Sequence, residues 1–88
     1  MDIYKVIVSR SAEKELNKLP ETILKRISIV FDSLIYNPRP TGSKKLKGTD
    51  IDLWRVRVGD YRIIYDINDK IRIIDIKKVG HRKDIYEQ

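Results

Sequence analysis

The sequence has no cysteine among its 88 residues, which excludes a disulfide framework and any cysteine-based zinc site. It has one histidine, His81, too few for a histidine-rich metal site. No apolar run approaches the length of a membrane span, and the N-terminus lacks the apolar stretch of a secretory signal; the expected location is the cytoplasm. There is no internal repeat and no low-complexity segment. Acidic residues are the scarcer charge, with 13 Asp and Glu against 19 Lys and Arg, a formal net charge of +6. A balance of that sign favours a polyanionic partner. What the chain does have is enough apolar content, 41% against 36% charged, to fold. Its length predicts one domain, residues 1–88, with a modest core and marginal stability.

Taken in order, Ile3–Val8 is a β-branched run and predicts a strand. Ser9 or Ser11 is placed to cap a helix whose first turns carry Glu13 and Glu15, where the helix dipole favours acid. Ala12, Leu16 and Leu19 share one face of it, and Pro20 ends it. Glu21–Tyr36 predicts a second helix, with Ile23, Ile27, Val30 and Leu34 on a stripe that reads as core. Asn37-Pro38 and Pro40 stop it. Arg39–Asp52 reads as a loop carrying Arg39, Lys44, Lys45 and Lys47.

That loop runs into Leu53–Ile67, LWRVRVGDYRIIYDI. Two alternating runs joined by Gly59-Asp60 predict a β-hairpin with a two-residue turn. Such a turn pairs Val58 with Tyr61, Arg57 with Arg62 and Val56 with Ile63. Alternation then puts Trp54, Val56 and Val58 on one face, and Arg55, Arg57 and Arg62 on the other. Trp54 and Tyr65 pair across the hairpin as packing residues. Like charges directly opposite on a sheet are destabilising, so three gathered arginines call for an anion, and a nucleic-acid phosphate is the obvious one. A solvated sheet face is the competing reading. Asn68-Asp69 predicts a second turn and Ile71–Val79 a last strand, apolar on both faces and therefore central. The register across this turn stays open between loops of about two and three residues; the shorter would set Asp75 opposite Arg62. Gly80 reads as the strand's end, with His81, Arg82 and Tyr86 in the tail beyond.

In their order and spacing, SRSAEKELNKLP, KKLKG, WRVRVGDYRIIY and the closing KVGHRKDIYE resemble the RelE/ParE superfamily of toxins, the RelE branch more closely. The resemblance covers almost the whole chain. It implies an α+β fold of order β-α-α-β-β-β, a twisted, mostly antiparallel sheet with both helices packed on one face. It also implies a messenger-RNA endonuclease that acts on the translating ribosome, encoded with an antitoxin that binds and silences it, with no metal and no small-molecule cofactor. Two other activities fit the same fold: a ParE-like inhibitor of DNA gyrase, and an inactive homologue that acts only as a co-repressor with its antitoxin.

Carried onto this chain, the family pattern marks Arg55 and Arg57 on the strand entering the hairpin, and Arg62, preceded by Tyr61, after its turn. His81 and Arg82 follow the glycine, and Tyr86 stands near the C-terminus. Better-known relatives have lysines where Arg55 and Arg57 stand. Arginine does not give up its proton, which argues against a lysine-type base here. Cleavage by the ribose 2′-hydroxyl needs a proton acceptor, charge to hold the crowded phosphate, and a donor for the leaving 5′-oxygen. The expected catalytic set is Arg62, His81, Arg82 and Tyr86. Arginine binds phosphate through two parallel bonds, histidine is the side-chain type whose ordinary pKa lies near neutrality, which makes His81 the candidate for proton transfer, and Tyr86 is suited to stack on a base or share the proton transfer. Lys45, Lys47, Arg55 and Arg57 are the expected RNA contacts.

Overall fold

A computed structural model describes residues 3–46 and 53–83; Lys47 and Tyr86, both named above, lie outside them. The elements are β1 (Lys5–Val8), α1 (Arg10–Leu16), α2 (Glu21–Tyr36), β2 (Lys44–Lys45), β3 (Leu53–Val58), β4 (Tyr61–Asn68) and β5 (Ile73–His81). They build one sheet in the order β1-β5-β4-β3-β2. Strand β1 runs parallel to β5, and the other neighbours are antiparallel. This is the α+β arrangement expected, with one strand more, because the lysine-rich loop contributes the short β2.

Helix α1 starts at Ser9, whose hydroxyl accepts the Ala12 N–H at 3.2 Å. It ends before Pro20. Asn17 caps it at Leu16, and Lys18 and Leu19 tighten into three-residue turns on the carbonyls of Glu15 and Leu16. Pro20 is the N-cap of α2. The predicted stripe of α2 is the core stripe: Ile27 and Leu34 are fully buried, with Ile23, Val30 and Phe31 packed beside them. Opposite lie Val56, Val58, Ile63, Tyr65, Ile67, Ile74, Ile76 and Val79. Each fully buried isoleucine contributes about 1.5–3 kcal/mol to folding. Both helices pack on this one face.

Strand β5 outlasts β1, whose pairing stops at Val8 and Ile76. Helix α1 closes the edge left beyond. Ser9 Oγ donates to the Lys77 carbonyl at 3.3 Å, and the Glu15 carboxylate accepts the Val79 N–H at 3.1 Å. A bare strand edge is thereby given partners from a helix.

The first hairpin has the predicted register, Arg57 opposite Arg62 and Val58 opposite Tyr61. The second differs. Asn68 pairs with Ile73, so its loop is Asp69 to Arg72. The Asn68 side chain closes it by accepting the N–H groups of Lys70 and Ile71, and Arg72 takes a left-handed φ of 57°. Ile71, expected in the strand, is 64% exposed in this turn. The longer loop sets Asp75 opposite Asp66, and Arg62 opposite Gly80; Asp75 does not hold Arg62. Gly80 lies inside β5, which continues to His81. A bulge between Ile64 and Tyr65 leaves Lys77 out of the pairing. Its ammonium takes the Asp75 carboxylate at 2.8 Å. That bond, helped by the nearby Asp66 charge, raises the Lys77 pKa. The bulge thus lets one lysine relieve two facing carboxylates.

Candidate nucleic-acid interface at the hairpin end

The end of the sheet holding the Gly59-Asp60 turn is where most of the described candidates meet. Gly59 has φ of 60°, and a Cβ there would lie 3.1 Å from Arg26 Nη1. The guanidinium of α2 therefore rests on the turn. The Arg82 N–H donates to the Asp60 carbonyl at 2.8 Å, which ties the chain leaving β5 to the same turn. Arg57, Arg62 and Arg82 are in this way brought to one end. Arg57 and Arg82 are exposed, and Arg62 is half-buried.

Alternation splits the remaining candidates. Arg55 lies on the same face as Arg57 but is only 4% exposed and is engaged by a partner, so Arg57 is the strand's outward cation. Lys45 pairs with Trp54 on the helix-facing side, and Lys44 pairs with Arg55. It is therefore Lys44 that shares the arginine face. A loop reading gives no such parity.

His81 is opposite Tyr61, one step along the strand from the arginine face, and so belongs to the other side. Its ring meets Tyr61 edge-to-face, centroids 5.4 Å apart at 82°. Its Nδ1 accepts the Lys83 N–H at 3.1 Å. A neutral imidazole bonded this way carries its proton on Nε2. Beside it, between the end of α1 and the ends of β4 and β5, is a cleft of about 320 Å³ lined by Glu15, Lys18, Leu19, Tyr61 and His81. Arg26, Lys18 and Tyr61 did not stand out as site residues in the sequence. Arg26 lies on the exposed side of α2 and Lys18 in the turn that follows α1, and the sequence pattern marks both only as polar.

The opposite end of the sheet is closed on itself. Arg39 holds Asp69 with two bonds, 2.9 and 3.4 Å, and Tyr4 donates to the same carboxylate at 2.6 Å. These bonds hold the Asp69 pKa below its ordinary value and raise that of Tyr4. The Arg39 guanidinium lies 5.1 Å from the centre of the Trp54 ring. The buried Tyr65 hydroxyl donates to the Pro38 carbonyl at 2.7 Å, and burial pushes its pKa up to about 12.

A five-stranded sheet with β1 parallel to β5, two helices on one face and a cationic hairpin end defines a class, the small toxins of the RelE/ParE superfamily. Residues 6–86 match the model of the ParE toxin of type II toxin–antitoxin systems. The chain is 33% identical to the "Putative toxin RelE1" of Methanocaldococcus jannaschii, over 96% of each chain. It is also 33% identical to "Toxin RelE" of Mycobacterium tuberculosis, over 94% of this chain and 86% of that one. Its fold superposes on the toxin–antitoxin structure "archaeal RelE-RelB complex" from Pyrococcus horikoshii OT3 with a TM-score of 0.82 and 37% identity, covering 97% of this chain and all of the matched one. The chain belongs to this superfamily and is a RelE-like toxin of a type II toxin–antitoxin system.

Proposed function

We propose that this toxin is an endoribonuclease that cleaves messenger RNA on the translating ribosome by 2′-hydroxyl attack, without a metal, and that it is silenced by a cognate antitoxin. The observation that carries the reading is the hairpin end, where Arg57 faces Arg62 and the Arg82 backbone is bonded to the turn between them. Guanidinium groups so placed suit a phosphate whose charge grows in the transition state. His81, with Nδ1 occupied by the Lys83 N–H, has no free ring lone pair with which to act as base and presents Nε2–H, which suits it to donate a hydrogen bond to an oxygen of the bound RNA. Tyr86 is proposed for the proton acceptor's side of the reaction. An acidic antitoxin suits a chain of net charge +6, and we place its docking segment over the tail from Gly80 to Gln88.

Primer extension on messenger RNA after brief induction tests the reading, with Arg82→Ala as control. Cuts confined to translated regions, with a three-nucleotide period and absent from the control, are the expected result. Arrested growth with intact messenger RNA would reject the nuclease and favour the ParE-like alternative, inhibition of DNA gyrase. Normal growth with intact messenger RNA would leave the co-repressor.

A further inference from the structure

The cleft beside His81 has no part in holding phosphate, yet it adjoins the residues that do. Tyr61 precedes Arg62 on β4, so this consecutive pair sends one side chain to either side of the sheet's end, and Arg82 follows His81 just past the end of β5, its N–H bonded to the Asp60 carbonyl of the turn. A strand of RNA whose phosphate lies on the arginines therefore has its base within reach of the aromatic pair by turning round that end.

The lining suits a base. Tyr61 and His81 are half-buried, offering ring surface on which a base can stack, a contact worth about 1–3 kcal/mol per base. Leu19 adds an apolar wall. Glu15 in the last turn of α1 and Lys18 in the turn that follows it both line the cleft, and put an acceptor and a donor there. The Glu15 carboxylate is anchored through one bond to the Val79 N–H, and an ionised carboxylate has room for about four. Guanine answers this set: its N1–H and N2–H donate to the carboxylate and its O6 accepts from the ammonium. Uracil has one ring N–H between two carbonyls and makes a poorer partner for a carboxylate.

We propose that the cleft between α1 and the β4–β5 end is a nucleobase subsite that prefers guanine, with Tyr61 and His81 as its stacking platform and Glu15 as the residue that reads the base. The subsite rests on the RNA-cleaving reading for its biological use, and its occupancy is measurable without cleavage.

The test is titration of the purified full chain with 5′-GMP and with 5′-UMP, followed by amide chemical shifts. Expected are shifts at Leu19, Tyr61 and His81, with GMP binding about tenfold more tightly than UMP. Glu15→Gln keeps an acceptor for the Val79 N–H, and should remove that preference while the Val79 amide stays in place. Equal affinities for GMP and UMP, shifts confined to Arg57 and Arg62, or no shifts at millimolar GMP would each overturn the proposal. If Glu15→Gln disturbs the fold, Lys18→Ala at the exposed rim serves instead, and an unchanged preference there overturns the proposal too. Guanine binding in the cleft together with intact messenger RNA in the induction experiment would keep the subsite and reject the nuclease. Messenger RNA cuts without binding here would do the reverse.

Discussion

The two ends of the sheet handle charge in opposite ways. At the β4–β5 turn, Asp69 is bonded by Arg39 and by Tyr4, and Arg39 also covers Trp54. At the Gly59-Asp60 turn, by contrast, Arg57 faces Arg62 across the ladder, with Arg26 and Arg82 drawn in beside them. One end satisfies its charges locally and serves stability. The other gathers like charges, an arrangement that costs folding energy and suits the anion-binding role proposed for it. The comparison predicts that changes at the hairpin end cost activity, and changes at the closed end cost stability.

The largest expected effect is at the hairpin end. Arg82→Ala should lower messenger-RNA cutting by about 100-fold or more, the scale of losing one preorganised transition-state contact. Its side chain is exposed, so the melting point should shift by no more than about 0.5 kcal/mol allows. A melting point that fell in step with the cutting would show that both ends are structural. The closed end should give the reverse pattern. Tyr65→Phe removes the 2.7 Å bond to Pro38 and leaves a buried carbonyl short of a donor, a loss of about 1–3 kcal/mol. Chemical denaturation measures it, and cutting by the folded fraction should be unchanged.

Between these lies Gly59, which belongs to the hairpin end but acts through backbone. Its φ of 60° is strained for any residue with a Cβ, and that Cβ would also press on Arg26. Gly59→Ala should cost about 1 kcal/mol. Because the Arg26 side chain is flexible and can yield, the strain should fall on the turn, and with it on the Asp60 carbonyl that positions Arg82. A mutant that lost stability but cut normally would show that the turn supports the fold alone.

The hairpin that organises this end was readable because a two-residue turn leaves one register, and alternation then assigns every side chain a face. The second hairpin was not. The Asn68 side chain, closing a four-residue turn on the Lys70 and Ile71 amides, and the bulge at Lys77 both change the register without changing the hydrophobic pattern. That shift decides where His81 goes. Glycine is disfavoured inside strands, so Gly80 read as an end. Once β5 runs through Gly80, parity places His81 beside Tyr61, across the sheet's end from the arginines. The burial of Arg55 was equally illegible, since alternation gives a face and says nothing of what covers it. Strand β2 was missed because two lysines within a basic loop show no alternation.

The smallest effect discriminates how the closed end is held. Asp69 has an ordinary carboxylate pKa of 3.8, lowered in the fold first by the Arg39 bond and then by that of Tyr4. A lowered folded pKa means that the ionised form is favoured in the native state. Its stabilisation is fully present above 3.8 and is lost as pH falls through the lowered value. Asp69→Asn should therefore melt below the wild type at neutral pH, by about 0.2–1 kcal/mol for so exposed a pair. The gap should close as the solution is acidified past the carboxylate range, because the wild-type side chain is then neutral as well. Thermal melts of both proteins from neutral to acid pH measure it. A gap that persisted unchanged into acid would mean that Asp69 is held by hydrogen bonding that survives protonation. Charge would then not be what distinguishes the two ends.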